Sequence, residues 1–551
     1  MARVARCGPL VRGMEAGTAG LEWTPPHGPQ AQGDAHAGGS MRRPTDRGAG
    51  PAGPFRPMSA PRAMLRGMLE RLPLLALLLL AAGCATTQPV ATPVAASAPA
   101  APLPEVLRLQ RPVGGEWLGL YLLDRKAGWL YADTAADVFE GLPAIRAELA
   151  LALELAVGGN VARRYVVDRR WYERRDGGRL LGFEAIRRGD GGDRHLTARC
   201  DGTACAVRIR RDGEEEVRTI PLPPETATDA DPVRLAAARR SAVEVTWLDL
   251  DELRLHRGRH AFDAVEGGRV RVLTREAGES FDLVTLLDES GATAEVHLGP
   301  GLVARAEPEA VARTLGTPAE VFELTAIRLP APLPEAPERV VLEVEGLPEP
   351  LWRRDGRQQF EPLPDGAVVV TIDAGGALQA GPAEREPFLQ ATPSVDWDHP
   401  AVRALAAELR AGAGSPAELA RLLLEEVHQR LEKAYGVSSD TASRVLAEGR
   451  GDCTEHALLF VALARAAGIP ARQVHGLVHT DTGAGPALYW HEWAEILLDG
   501  RWVAVDPTFG QFPADATHLA LGTGRSTSST HVMGQLRIRR AAAPAPSPRG
   551  R

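Results

Sequence analysis

The sequence predicts an α+β protein in which a large antiparallel β-rich region leads into a C-terminal unit with helices first and an antiparallel meander after them. Three observations carry that expectation. From 145 to 157, Ile145, Ala147, Leu149, Leu151, Leu153, Leu155 and Val157 alternate with Arg146, Glu148, Ala150, Ala152, Glu154 and Ala156. The Ala/Leu/Glu composition favours helix, but the period is two, so the run reads as a strand. Residues 400–412 and 415–434 carry helical periodicity instead, with Leu419, Leu422, Leu423 and Val427 along one stripe. After a further helix beginning near Cys453, three strand-like runs follow at about 472–479, 488–498 and 501–506.

The chain begins with residues 1–63, rich in Gly, Pro, Arg and Ala and lacking a sustained period. They read as a leader without a fold, either a start-site error ahead of Met58, Met64 or Met68 or a disordered extension. Arg66 and Arg71 then precede an apolar run from Leu72 to Ala82 that ends in Gly83-Cys84. A basic flank, a short apolar stretch and small residues match a secretory signal over 64–83, too short for a membrane span. Cys84 after Ala81-Ala82-Gly83 resembles a bacterial lipobox, with Ala81 where Leu is commonest; the rival is an ordinary signal whose cysteine is incidental. Residues 84–104, rich in Ala, Pro, Thr and Ser, read as a tether. The expected location is the bacterial cell envelope, lipid-anchored and facing the periplasm.

From 105 to 329 the pattern is mostly β, with strands expected at 162–173, 180–187, 204–211, 268–274, 282–287 and 292–297 between Gly- and Asp-rich turns. Cys200 and Cys205 bracket a turn between strand-like runs and are expected to pair in an oxidising compartment. Pro330, Pro332 and Pro334 mark a boundary, and 330–390 holds a small β unit and linker. Residues 391–525 form the C-terminal unit, and 526–551 a flexible tail. Over 551 residues, 63 basic against 71 acidic side chains leave a net charge of −8, which gives no general electrostatic reason to bind nucleic acid. Arg169-Arg170 and Arg210-Arg211 read as solvated strand faces or hairpin edges.

With Cys7 in the leader, Cys84 at the lipid site and Cys200 with Cys205, Cys453 is left without a structural role. Asp452 and Glu455 stand three apart ahead of an apolar run, the pattern of a capping box, which puts Cys453 at the first helical position. Free N–H groups and the helix dipole there favour thiolate, while the neighbouring carboxylates oppose it. The helix should end at Gly468, before Pro470.

A nucleophilic thiol needs a base held by a third group. Asp499-Gly500 is a two-residue hairpin signal that sets Leu498 opposite Arg501. The same register puts His491, Trp493 and Asp506 on one face, with His491 diagonal to Asp506 and backbones roughly 7–8 Å apart. Ile496, Leu498, Val503 and Val505 line the opposite face. His456, His475, His479 and His518 show no spacing for a metal, Cys453 with His456 lacks the second pair a zinc site needs, and no cofactor motif stands out.

Gly451-Asp452-Cys453-Thr454-Glu455-His456, Ala466-Ala467-Gly468-Ile469-Pro470-Ala471-Arg472, Trp490-His491-Glu492-Trp493-Ala494-Glu495 and Trp502-Val503-Ala504-Val505-Asp506-Pro507-Thr508 resemble, in order and spacing, the transglutaminase-like domain. The resemblance covers about 395–525, roughly a quarter of the chain. The β-rich half also looks, by general texture, like the region that precedes such domains in bacterial envelope proteins. The resemblance implies a papain-like fold and a Cys-His-Asp triad at Cys453, His491 and Asp506. Members make or break amide bonds through a thioester acyl-enzyme, and some do neither.

The implied activity is a thiol-dependent amidase, peptidase or transamidase on peptide or isopeptide bonds; the alternative is a non-catalytic scaffold or peptide-binding module. The oxyanion would meet the Cys453 N–H and a second donor, for which Tyr435 is a candidate beside a core role. Trp490 and Trp493 are candidates to shield the site or simply to pack, and Gln511 to border the cleft. Expected partners are a peptide or protein substrate and a membrane, with the chain a monomer.

Overall fold

Period-two alternation does produce strands, and more of them than the sequence pattern shows. The computed structural model describes residues 114–543 apart from 176, 190–191, 212, 224–229, 382–384, 436–438, 482–484 and 525–530. The leader, the signal-like run, Cys84 and the tether lie outside the described residues, and among those residues no helix is long and apolar enough to cross a membrane.

Leu142–Val157 is one strand of a fifteen-stranded sheet. A meander runs from Glu116–Leu122 outward to Glu214–Pro221, each strand paired with the next. The chain then passes through the helix Pro232–Arg239 and starts a second meander at Ala242–Asp249, which ends on Leu302–Ala306. That last strand pairs antiparallel with Glu116–Leu122, so the two meanders are joined edge to edge at the first strand. Cys200 lies directly opposite Cys205 in the hairpin register, and a disulfide joins them.

A four-stranded sheet follows in the order Gln358–Pro362, Val368–Asp373, Arg339–Glu345, Arg537–Ala542. Its last strand corrects the expected tail: Ile538 pairs with Val344 and Arg540 with Glu343, so folded chain extends at least to 542. Three helices, Pro400–Ala411, Pro416–Arg430 and Ala442–Glu448, precede the cysteine helix Cys453–Ala466. The cysteine helix packs on the sheet formed by Ala471–Asp481, Pro486–Leu498 and Arg501–Val505, which has His518–Thr523 on its far edge, and the three other helices pack around it.

The expected α+β class does not describe the whole chain. Among the described residues strand outweighs helix, 50% against 18%, which is far from the roughly 30–35% helix of an average globular protein, and the class is β-rich. Helix-first texture is confined to the C-terminal unit. Around the expected boundaries at 330 and 391, Ile327–Arg328 and Leu378–Gln379 already pair with strands of the C-terminal sheet, and packing is shared. Leu118 and Leu151 of the large sheet, Val340 and Leu342 of the four-stranded sheet, and Leu477 and Trp490 of the C-terminal sheet all belong to one buried cluster. A second cluster, containing Leu423, Leu459, Phe460, Ala494, Ile496 and Val505, seats the helices on the sheet.

Candidate active site

The cysteine helix starts as its sequence dictates. The Asp452 carboxylate accepts from the Thr454 N–H at 2.9 Å, and Glu455 reaches back to the Asp452 N–H at 2.8 Å, closing the capping box. The helix ends at Ala466, and Gly468 follows with φ +78°. Cys453 is therefore the first helical residue; it is 1% exposed and is the free cysteine among the described residues.

The hairpin register is the expected one, Leu498 opposite Arg501 through to Ala494 opposite Val505. Ile496 and Val505 face the helices, with Leu498 and Val503 packed beside them. Beyond Ala494 the aspartate strand turns away, and Asp506 instead bridges to Gln511 by two backbone hydrogen bonds of 2.9 Å. On the same side of the histidine strand, pairing resumes only at Leu488, opposite Ile327. The register is thus interrupted between Leu488 and Ala494, and the backbone N–H of Glu492 goes to the Cys453 sulfur. This interruption lets the start of the cysteine helix approach His491.

The His491 Nε2–H donates to Asp506 Oδ2 at 2.7 Å. Asp506 Oδ1 accepts from the N–H groups of Thr508, at 2.7 Å, and Phe509, at 3.1 Å. Burial works against the Asp506 charge, but the His491 and His518 donors outweigh it and hold the carboxyl well below its usual range. A carboxylate held ionised fixes the proton on Nε2 of His491. The other nitrogen, Nδ1, is buried with no hydrogen-bond partner, so it carries the free lone pair. The ring is stacked against Phe509 at 4.9 Å and Trp493 at 6.0 Å, each tilted by 21°. Burial and the nearby His518 and Lys433 charges lower its basicity.

The Cys453 thiol is pushed up, first by burial and then by the Asp452 and Glu492 carboxylates, with the Glu492 N–H opposing. Burial and the neighbouring carboxylates, the groups expected to oppose thiolate at this helix start, thus outweigh the Glu492 N–H. The resting pair is neutral thiol and neutral imidazole, and no hydrogen bond reaches His491 Nδ1.

The remaining candidates separate. Trp493 lies in the site, stacked on His491. Trp490, on the other face of the strand from His491, is buried in the large shared core and does not shield the site. Tyr435 accepts from Asn160 Nδ2 through its carbonyl at 3.1 Å and meets Phe322 edge-on, so it joins the C-terminal unit to the β-rich sheet. The Gln511 side chain donates to Asp515 at 2.8 Å and accepts the Asp515 N–H at 3.0 Å, bracing the turn after Asp506.

Sequence reasoning missed His518, whose Nε2 donates to the same Asp506 Oδ2 at 3.0 Å. It sits on a strand paired with Ala471–Asp481 rather than with the hairpin, so no local spacing announces it. His491, Asp506 and His518 offer ligand atoms within 4.8 Å of one another. A metal held at about 2.0–2.1 Å would need deprotonated nitrogens and tetrahedral ligand spacings of about 3.4 Å. The observed 2.7 and 3.0 Å are hydrogen-bond lengths that use those same nitrogens as donors, so the set does not fit a metal.

Fold and site together define a domain with a helix-borne thiol beside a strand-borne, carboxylate-held imidazole. Residues 403–507 match the family model of the transglutaminase-like superfamily, so the family read from the four motifs holds for this segment. No curated protein matches the chain. Among solved structures it is similar to a candidate cysteine protease from Cytophaga hutchinsonii, at 16% identity over 40% of this chain and 85% of that one, TM-score 0.26. The periplasmic domain of TgpA from Pseudomonas aeruginosa bound to ethylmercury matches at 19% identity over 34% and 90%, TM-score 0.23. A β-barrel-like protein from Brucella abortus matches at 10% identity over 35% and 94%, TM-score 0.26.

Proposed function

We propose that the chain is a thiol-dependent amidase, peptidase or transamidase that acts on peptide or isopeptide bonds outside the cytoplasm, with Cys453 as nucleophile, His491 as base and Asp506 as orienter. The observation that carries this reading is the unpartnered, buried Nδ1 of an imidazole whose Nε2–H is tied to a carboxylate, beside the start of the cysteine helix. Leaving that nitrogen bare costs stability, which a group with a proton to accept during turnover accounts for.

The roles follow from that tautomer. As the substrate carbonyl arrives, the thiol proton passes to His491 Nδ1 and the sulfur bonds to the carbonyl carbon. The oxyanion meets the free N–H at the start of the cysteine helix. When the C–N bond breaks, His491 gives its proton to the leaving amine, and a thioester remains. Water, or a second amine, then attacks the thioester with His491 again taking the proton, and the thiol is restored. Asp506 holds Nε2–H throughout and stabilises the imidazolium.

The test is capture of the acyl-enzyme by intact mass after incubation with envelope peptides. The wild-type chain should gain one acyl group at Cys453, and Cys453→Ala should gain none while keeping its fold; equal labelling of the two overturns the reading. The closed site, with Cys453 buried and its thiol proton held tightly, favours one rival, a scaffold or peptide-binding module without turnover. Peptide binding with no acyl capture would select it.

The anchor is proposed on the Gly83-Cys84 junction. Lipid label and membrane-fraction recovery should both be lost in Cys84→Ser, and retained label rejects the assignment.

A further inference from the structure

We propose that His518 is a positioning residue of this centre, the second donor to Asp506 in a buried row that runs His491, Asp506, His518, Asp515. This rests on the thiol-enzyme reading above and adds to it a group that none of the four motifs contains.

The geometry is specific. Asp506 Oδ2 accepts from both imidazoles, at 2.7 Å from His491 and 3.0 Å from His518. The other nitrogen of His518, Nδ1, faces Asp515, 3.2 Å from both Oδ1 and the main-chain carbonyl oxygen. Asp515 is itself braced by the N–H of Thr517 at 2.9 Å and by Gln511 Nε2 at 2.8 Å, and it also accepts from the Thr517 hydroxyl. Neither carboxylate can donate, so both His518 nitrogens must carry protons, and the ring is an imidazolium with no exposed side-chain surface. Burial opposes that charge, yet the two carboxylates outweigh it and raise the basicity of the ring.

Two consequences reach the reacting atoms. The shared oxygen cannot swing without breaking both imidazole contacts, so His518 fixes the atom that orients His491. The two ring centroids are 5.8 Å apart, and the cation opposes a second positive charge on His491. His518 thus keeps His491 unprotonated in the resting state and ready to take the thiol proton. The other charged or titratable groups acting on His491 are Asp506 and Lys433, with Cys453 at the start of the facing helix. Trp493 closes the row, its ring edge-on to His518 at 5.1 Å.

The test uses the full chain and follows the rate of acyl-enzyme formation against pH, by intact mass, in wild type, His518→Gln and Asp515→Asn. Circular dichroism and urea midpoints report whether each variant folds. Removing the cation lets His491 hold its proton more tightly, so the acidic limb of the profile should move to higher pH. For unit charges about 6 Å apart at an effective dielectric near 20, the rate below that limb should drop about a hundredfold in His518→Gln. Asp515→Asn, which leaves Asp506 untouched, should shift the limb in the same direction by less. If His518→Gln does not fold, the Asp515→Asn profile decides. Folded variants whose limb stays at the wild-type pH, even with a lower plateau, overturn the inference. Loss of capture in wild type itself, by contrast, would be a failure of the enzyme reading.

Discussion

Replacing Asp506 by Asn changes one oxygen for one nitrogen and should undo the site. The carboxylate accepts four hydrogen bonds, two from imidazoles on Oδ2 and two from the N–H groups of Thr508 and Phe509 on Oδ1. In Asp506→Asn the two backbone donors would hold the amide oxygen in the Oδ1 place and turn the new NH2 toward both rings. Donor then faces donor at His491, which relieves the clash by moving its proton to Nδ1, and the base is lost. At His518 the imidazolium loses a counter-charge in a fully buried setting. Breaking one side of a buried, hydrogen-bonded pair costs about 3–5 kcal/mol, and the urea-derived stability at pH 7 should fall by that order. Acyl-enzyme formation should fall by about 10⁴-fold, the scale set by a wrong imidazole tautomer in a serine-protease triad. Intact-mass kinetics under conditions where the variant is folded measure the second quantity directly. A folded Asp506→Asn protein that acylates within tenfold of wild type would refute the assigned tautomer and the role of Asp506 with it.

Other outcomes follow from burial. Iodoacetamide should modify Cys453 more slowly than an ordinary free thiol at pH 7 in the native chain, because the sulfur is covered and its proton is held; rapid native labelling would show that the site opens readily. His456 should make the protein acid-sensitive. Its Nδ1–H is bonded to the Asp452 carbonyl at 2.6 Å, its Nε2 is buried without a partner, and burial lowers its pKa from 6.5 to about 4. The unfolded chain therefore takes up this proton first, and the stability present above the unfolded value is lost as pH falls toward about 4. The full contribution is about 3 kcal/mol. Urea midpoints at pH 7 and 4.5 should differ less in His456→Gln than in wild type, and an equal difference contradicts the assignment.

The parts of the fold that could be read from the residues were those set by local rules. The capping box at Asp452 and Glu455 fixed the start of the cysteine helix, and the hairpin at Asp499-Gly500 fixed the register as far as Ala494 and Val505. Beyond that the strand of Asp506 leaves the expected pairing, although its carboxylate still meets His491. Strands with clean alternation, such as Leu142–Val157, were equally legible. Arg125–Phe139 was not, because buried Ala127, Gly128, Trp129 and Leu130 follow one another without a period. The edge strand Arg537–Ala542 was obscured by arginines and alanines around a single buried Ile538. The interruption that admits Cys453 depends on Ile327–Arg328, about 160 residues upstream of its partner, and His518 reaches Asp506 although two strands stand between theirs in the sheet. Both are products of sheet order, which no spacing along the chain encodes.

The central claim is that thiol, imidazole and carboxylate work as one unit although the resting sulfur and Nδ1 are not hydrogen-bonded. The most direct measurement is the single-turnover rate of thioester formation at Cys453 in His491→Ala against wild type, followed by intact mass with one peptide at one pH. A unit predicts a loss of about 10³-fold or more in the folded variant. Equal rates would mean that the sulfur reacts unaided, and the proposed chemistry would have to be abandoned.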